Sequence, residues 1–290
     1  MTTQNWFSSG TFILDGGWGT QLQLRGLDIG AQPDFWNLSH PDKVQEVAAA
    51  YVQAGSDIIL TNTFGSNRFL LAPHGAESQV AELNRAGVRL SREAAKKQNR
   101  RVFASIGPTG VMLLSGTVSP DELYAAFLEQ AEAIAAEVPD GIVIETMSDP
   151  AEAVLAVKAA KTTGLPVAAC MVFDTGKNKD RTMMGTTPEQ VVEQLTAAGA
   201  DIIGANCGQG IDGFIPICQR MRAVTSLPLW MKANAGLPEI VDGKTVYRQT
   251  PEKFAESAKE LLAAGVNFIG GCCGTSPEYI QTLRDTFGQP

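Results

Sequence analysis

Three cysteines lie in two glycine-rich motifs, each of which directly follows a short apolar run. Cys207 lies in Gly204-Ala-Asn-Cys-Gly208, and the adjacent pair Cys272 and Cys273 lies in Gly270-Gly-Cys-Cys-Gly-Thr275. Thiolate sulfur is a preferred ligand of zinc, and a site with three protein ligands leaves a fourth position for a substrate. The cysteines therefore predict a bound Zn²⁺ ion that activates a thiol substrate.

Free cysteines that are buried as small apolar side chains are the alternative interpretation, and the spacing alone leaves both open. Cys170 and Cys218 lie within apolar runs, which predicts that both belong to the core. The sequence contains two histidines, His40 and His74, and neither follows a predicted strand. Histidine ligation and histidine base catalysis are therefore not expected.

The spacing of apolar residues predicts the strands and helices that carry these cysteines. Eight apolar runs alternate with longer segments in which apolar residues recur every three or four positions. Nearly continuous apolar runs are typical of parallel strands that are buried on both faces. Predicted strands cover residues 12–14, 57–60, 102–106, 141–144, 167–172, 201–203, 229–231 and 267–269, and the clearest predicted helices cover residues 41–54, 78–98, 120–137, 150–163, 188–198 and 251–264.

This alternation predicts an α/β fold, the (β/α)8 TIM barrel, which typically needs about 250 residues. A doubly wound open sheet is the competing architecture. The sequence contains no linker and no low-complexity tract, so residues 1–290 are predicted to form a single domain. Residues 233–249 are predicted to form an extended loop after the seventh strand.

Composition limits the classes of function. Apolar residues make up 44% of the chain and charged residues 19%, so a large core is available. The net charge of −8, with no basic stripe, argues against a nucleic-acid partner. The sequence contains no apolar run long enough to span a bilayer and no features of a secretory signal. An odd number of cysteines fits a reducing compartment. We therefore expect a cytoplasmic protein without a membrane partner.

Polar or glycine-rich residues follow every predicted strand, and the active site of such a barrel lies at the carboxyl ends of its strands. Glu145 ends an apolar run, where it can bind a substrate ammonium group or form a salt bridge within the barrel. The turn at 15–17 can bind an anion through backbone N–H groups or can be only a tight turn. Asn62, Asn206 and Asn234 can order the loops or donate to a substrate. The candidate substrate-binding residues are Asp15, Gly16, Gly17, Asn62, Glu145 and Asn234.

Six short motifs that contain these residues together resemble the homocysteine S-methyltransferase family. The resemblance extends from about residue 10 to residue 285, and the two cysteine motifs in this order are highly specific. The motifs are Asp15-Gly-Gly-Trp-Gly-Thr-Gln, Thr61-Asn-Thr-Phe, Ile144-Glu-Thr-Met, Gly204-Ala-Asn-Cys, Asn234-Ala-Gly-Leu-Pro and Gly270-Gly-Cys-Cys-Gly-Thr.

The resemblance implies a zinc-dependent barrel enzyme that transfers a methyl group to the thiolate of homocysteine and yields methionine. It implies that Cys207, Cys272 and Cys273 are the zinc ligands. It also implies that Glu145 and the turn at 15–17 contact the amino-acid part of homocysteine. No catalytic residue beyond the zinc site is expected, because methyl transfer to a thiolate needs no base.

The methyl donor follows from a narrower resemblance. Residues 174–185 and 234–238 look closest to the homocysteine-binding module of cobalamin-dependent methionine synthase. That likeness favours methylcobalamin or another methylcorrinoid, carried on a partner protein, as the donor. Small donors are the alternative: S-methylmethionine, S-adenosylmethionine or betaine.

A phosphate-binding barrel lyase or isomerase is the alternative from another reaction class. The glycine-rich turn after the eighth strand leads into Thr275-Ser276-Pro277, and such barrels bind phosphate at a comparable place. This alternative requires a catalytic lysine inside a strand, for which Lys232 is the candidate.

Overall fold

The computed structural model describes residue 7, residues 10–241 and residues 244–288. Within these residues, eight strands form one parallel sheet, and two more form a separate antiparallel hairpin. The strands are β1 (Phe12–Ile13), β2 (Ile58–Ile59), β3 (Arg101–Ile106), β4 (Gly141–Met147), β5 (Val167–Met171), β6 (Ile202–Gly210), β7 (Leu229–Asn234), the hairpin strands β8 (Glu239–Val241) and β9 (Lys244–Val246), and β10 (Phe268–Gly271).

The parallel sheet runs in the order β1-β10-β7-β6-β5-β4-β3-β2, which places the first and second strands at its two ends. Asp57 joins these ends. Its backbone N–H donates to the carbonyl of Ile13 at 2.7 Å, and its carboxylate accepts from the N–H of Ile13 at 2.9 Å. The sheet therefore curls into a nearly closed ring, and the predicted (β/α)8 TIM barrel is confirmed.

Helices surround this ring, and several begin as the sequence predicts. Ser119 and Thr187 form capping boxes with Glu122 and Gln190, each followed by a proline at the first helical position. None of the described helices is both long and apolar enough to cross a membrane. The helices are α1 (Trp18–Leu24), α2 (Trp36–Ser39), α3 (Pro41–Gln53), α4 (Arg68–Leu71), α5 (Val80–Lys96), α6 (Pro120–Ala135), α7 (Pro150–Lys161), α8 (Pro188–Ala198), α9 (Ile211–Arg222), α10 (Pro251–Ala263) and α11 (Pro277–Phe287).

The core has two layers. Inside the ring, Trp230 stacks on Phe268 with ring centroids 5.2 Å apart and contacts Phe103 at 5.5 Å. Cys170 belongs to this inner layer, and Cys218 belongs to the larger layer between the strands and the helices. Both thiols are buried, as predicted. Because side chains fill the interior of such a barrel, ligands bind at the carboxyl ends of its strands.

Two strands continue past their predicted ends through irregular pairing. Between Ile144 and Met147, β4 has one residue more than its neighbour β5. Between Asn206 and Gly210, β6 has two residues more than β7. Bulges of this kind redirect side chains next to active sites.

The prediction of a long loop at residues 233–249 is wrong. β7 continues to Asn234, and the hairpin β8–β9 lies within the segment, with residues 242–243 outside the described part of the chain. The sequence does not reveal the hairpin, because Gly236, Pro238 and Gly243 are typical of loops. Its three-residue strands are also too short to show the alternation of apolar and polar residues that is typical of a strand.

The join between β1 and β2 predicts a stability effect. The Asp57 carboxylate also pairs with Arg100 at 3.0 Å and with Arg284 at 2.6 Å. Asp57→Ala should therefore lower the free energy of unfolding by about 2 kcal/mol, a magnitude typical of hydrogen bonds to charged groups. Chemical denaturation measures the change.

Glu129→Ala is the matched control, because Glu129 forms an exposed pair with Arg68 at 2.8 Å. Its expected cost is below about 1 kcal/mol. Equal costs for the two variants would show that Asp57 has no special part in joining the sheet.

Candidate functional site

The three predicted cysteine ligands converge although β6 and β10 are separated by β7. The Sγ atoms of Cys207 and Cys273 lie 3.9 Å apart, and all three sulfurs lie within 4.8 Å of one another. Tetrahedral zinc, with bonds of about 2.3 Å to sulfur, places its sulfur ligands about 3.8 Å apart. The spacing and chemistry of the three sulfurs therefore fit a zinc ion.

The turn that carries Cys272 and Cys273 depends on close backbone packing. Gly274 has φ of +81°, and a Cβ there would lie 2.2 Å from Cγ of Tyr247. The backbone N–H of Cys273 donates to the Asn234 side chain at 3.1 Å. The Tyr247 side chain also interacts with the sulfur of Cys273 and opposes in part the rise in the pKa of that thiol. Tight contacts on both sides thus fix the direction of this sulfur.

The three thiols do not ionise independently. Hydrogen bonds from Cys272 and Cys273 hold the pKa of Cys207 well below its ordinary value. The same hydrogen bonds raise the pKa of the two donor thiols. One negative charge is thus easily formed, and further charges at this spacing repel it. A divalent cation would remove that repulsion, which is a second reason why the cluster suits zinc.

A cavity of about 400 Å³ lies beside the sulfurs at the carboxyl ends of the strands. The walls come from the segments after β1 and β2, from the ends of β3 and β7, from the bulged ends of β4 and β6, and from the turn after β10. The lining residues include Gly16, Gly17, Trp18, Asp34, Asn62, Phe64, Ser105, Glu145, Thr146, Cys207, Lys232, Cys272 and Cys273.

Glu145 supplies a largely buried carboxylate to this cavity. It accepts a hydrogen bond from Ser105 Oγ at 2.5 Å and one from Asn206 Nδ2 at 3.3 Å. Burial raises the pKa of Glu145, while the positive charge of Lys232 and the hydrogen bond from Ser105 oppose the shift in part. A buried carboxylate at a cavity wall is suited to bind a cationic group.

Asp15 lies fully buried and is already engaged by three donors. Its carboxylate accepts from Trp18 Nε1 at 2.7 Å and from the backbone N–H of Leu60 at 2.7 Å, and it pairs with Lys232. Burial lowers the pKa of Lys232, but the charges of Asp15 and Glu145 outweigh burial and raise it. This ion pair connects the ends of β1, β2 and β7 next to the cavity.

The predicted asparagines have structural partners. Asn62 lines the cavity, and its Nδ2 donates to the carbonyl of Pro33 at 2.9 Å and to Asn37 at 3.0 Å. Asn234 is buried at the end of β7 and orients Cys273 through the hydrogen bond described above. Gly16 and Gly17 line the cavity where the chain enters α1.

Several residues of the site were not predicted for it, among them Lys232 and Tyr247. Lys232 was considered only for the lyase alternative, although a lysine within the apolar run Leu229–Ala233 is itself a signal of a buried charge. Tyr247 follows the hairpin that the sequence did not reveal. No periodicity or motif connects Tyr247 with Cys273, so its contact required the structure.

Convergence of the three sulfurs predicts a specific pattern of metal binding. Changing Cys207, Cys272 or Cys273 individually to alanine should weaken Zn²⁺ binding more than about a hundredfold, because even the loss of an outer partner of a ligand costs 10–100-fold. Isothermal titration of the metal-free protein with Zn²⁺ measures the affinity.

Cys170→Ala and Cys218→Ala are the matched controls, because both thiols are buried elsewhere. Each should still bind one equivalent of Zn²⁺ with the affinity of the unaltered protein. Loss of binding in either control, or its retention in Cys207→Ala, would contradict the assignment.

Solved structures with the same fold include the homocysteine methyltransferase MmuM from Escherichia coli. Its metallated form matches with a TM-score of 0.81 and 22% identity, over 96% of this chain and 97% of that chain. Its apo form matches with a TM-score of 0.76 and 21% identity, over 96% and 97% of the two chains. Pyruvate carboxylase from Rhizobium etli matches at 0.56 and 15% identity, over 97% of this chain and 27% of that chain. These likenesses show the shared barrel.

The family of this chain follows from a comparison of its sequence with known families. Residues 12–287 match the family described as homocysteine S-methyltransferase. The match includes both cysteine motifs, the Glu145 strand and the glycine turn at 15–17. The chain belongs to the homocysteine S-methyltransferase family.

Proposed function

We propose that this protein binds zinc through Cys207, Cys272 and Cys273 and transfers a methyl group from a methylcorrinoid on a partner protein to homocysteine, giving methionine. The observation that carries the proposal is the position of the three sulfurs on the wall of the cavity that Glu145 also lines. Membership in the family decides against the lyase or isomerase alternative.

The cysteine cluster, with zinc bound, would bind and ionise the thiol of the substrate. A free thiol has a pKa of about 8.5, so only a few per cent is ionised at neutral pH. Bound zinc would supply the positive charge that stabilises the nucleophilic thiolate form. Within the described part of the chain, three cysteine ligands lie here, one fewer than a closed structural zinc site contains. That count favours a catalytic role over a purely structural one.

The other cavity residues would hold the amino-acid part of homocysteine. Glu145 binds the ammonium group, and that new partner compensates for the burial of its charge. Gly16 and the first turn of α1 present backbone N–H groups to the carboxylate, and Gly17, whose own N–H donates to the carbonyl of Thr275 at 3.0 Å, fixes the turn that carries them. Asn62 and Asn234 keep the walls in place, through their contacts with the loop at Pro33 and with Cys273.

Asp15 acts on the substrate indirectly in this proposal. Its carboxylate is occupied by Trp18, Leu60 and Lys232, and it neutralises the lysine that lines the cavity. With Lys232 neutralised, Glu145 remains as the negative group that attracts the ammonium. Substrate binding therefore depends on Asp15 through charge balance.

The surroundings of the cavity support a large donor. Apolar side chains are exposed on the loops after β3 and β5, at the same end of the barrel: Met112, Leu114, Met183 and Met184, with exposed fractions of 53%, 74%, 51% and 37%. These side chains provide a surface for the partner that carries the corrinoid. We also propose a cytoplasmic location, supported by five free cysteines.

A small cationic donor such as S-methylmethionine is the second candidate, and a specific observation favours it. The rings of Trp18 and Phe64 line the cavity, and aromatic faces attract sulfonium and quaternary ammonium groups. The buried carboxylate of Asp34 lies on the same wall.

Donor assays test the proposed function. Zinc-loaded protein is incubated with homocysteine and, separately, methylcobalamin, S-methylmethionine, S-adenosylmethionine or betaine, and methionine is measured. We expect methionine from methylcobalamin and none from Cys273→Ala. Turnover only with a sulfonium donor would replace the corrinoid proposal, and turnover by metal-free protein would overturn the zinc proposal.

The raised pKa of Glu145 predicts a pH dependence. Ammonium binding needs the carboxylate, so KM for homocysteine should rise as the pH falls through the pKa of Glu145, which lies above the ordinary value of about 4.3. Glu145→Gln should raise KM at least about tenfold at neutral pH and remove this part of the pH profile. Steady-state kinetics from pH 5 to 8 provide the comparison.

Glu152→Gln is the matched control for this profile. Burial also raises the pKa of Glu152, but its carboxylate accepts hydrogen bonds from Thr109 and does not line the cavity. The control should keep the KM profile of the unaltered protein. An unchanged KM in Glu145→Gln would remove Glu145 from the proposed ammonium site.

A further inference from the structure

Both bulges at the cavity contain a residue in an unusual backbone conformation. In β4, two residues, Glu145 and Thr146, lie between the positions that pair with β5, whereas β5 has only one residue in the same interval. Thr146 has φ of +61°. In β6, the bulge begins after Asn206, and Cys207 has φ of +60°. The left-handed region is unfavourable for a β-branched residue such as Thr146, so its surroundings must hold it there.

Asn206 holds Thr146 at two points. Its Oδ1 accepts a hydrogen bond from the backbone N–H of Thr146 at 2.7 Å, and its Nδ2 donates to Thr146 Oγ1 at 2.7 Å. Asn206 is fully buried and precedes Cys207, so one side chain connects the bulge of β6 to that of β4 across the end of β5.

The same amide group lies between the two functional parts of the cavity. Nδ2 of Asn206 is 3.3 Å from a carboxylate oxygen of Glu145 and 4.0 Å from the sulfur of Cys272. It is thus in contact with the proposed ammonium site, with the backbone that carries that site, and with the sulfur cluster.

We propose that Asn206 is a positioning residue that sets the spacing between Glu145 and the sulfur cluster, and thereby selects the length of the amino-acid substrate. This inference rests on the proposed function. Homocysteine has two methylene groups between its α-carbon and its sulfur, and cysteine has one. A fixed spacing discriminates between them, because only one chain length satisfies both ends at once.

Asn206→Ala tests the inference in the zinc-loaded protein. We expect KM for homocysteine to rise about tenfold, since the hydrogen bond to the Glu145 carboxylate and both bonds to Thr146 are lost, while kcat changes less than about threefold. Calorimetry without a donor should show a smaller ratio between the affinities for homocysteine and cysteine. Zinc content should remain one per chain. If this variant does not fold, Asn206→Asp keeps the shape and the Oδ1 acceptor but removes the donor, and should change the same quantities.

A second substitution separates positioning from general stability. Glycine adopts φ near +60° without strain, so adding Thr146→Gly to Asn206→Ala should recover part of the lost affinity. Asn84→Ala is the control, because Asn84 is fully buried, donates to Ser66 and Val80, and lies outside the cavity. It should lower the melting temperature and leave KM unchanged.

The possible failures are distinguishable. An unaltered KM and an unaltered homocysteine-to-cysteine ratio in Asn206→Ala, or no recovery on adding Thr146→Gly, would overturn the positioning role while the activity stands. If the unaltered protein neither binds homocysteine nor forms methionine with any donor, the proposed function itself fails, and this inference fails with it.

Discussion

Parallel pairing of β6 and β10 with the strand between them, β7, determines where the site lies. It places the carboxyl ends of β6 and β10 at one rim, where Cys207, Cys272 and Cys273 lie within 4.8 Å of one another. Thiols at this distance cannot all ionise without a cation, because their negative charges repel. A divalent ion would remove this repulsion, and the proposed substrate cavity lies beside the three sulfurs.

Regular strands alone would not produce this site. Glu145 and Cys207 both lie at bulges, where the backbone leaves its ladder and turns the side chain toward the cavity. Asn206 supports the bulged backbone through its hydrogen bonds with Thr146, and the Asp15–Lys232 pair joins the ends of β1 and β7 beside the cavity. The bulges of β4 and β6 and the buried polar contacts of Asn206 and Asp15 therefore shape the cavity together.

The sequence predicts the repetitive part of this molecule well. Apolar runs identify all eight barrel strands, and the motifs around Cys207 and Cys272 indicate the cysteine cluster. What it did not predict depends on partners distant in the chain. The contact between Asp15 and Lys232 spans 217 residues, and the bulges are defined only by the register of neighbouring strands. Tyr247 reaches Cys273 from a hairpin with three-residue strands, which carry no detectable period.

X-ray absorption at the zinc K-edge, on protein loaded with one equivalent of Zn²⁺ and free of substrate, identifies the atoms that bind the metal. We expect three sulfur neighbours at about 2.3 Å and a remaining ligand of oxygen or nitrogen. A shell with fewer than three sulfurs would contradict convergence of the three cysteines on one ion. A shell with four sulfurs would mean that the site is closed and cannot accept a substrate thiol.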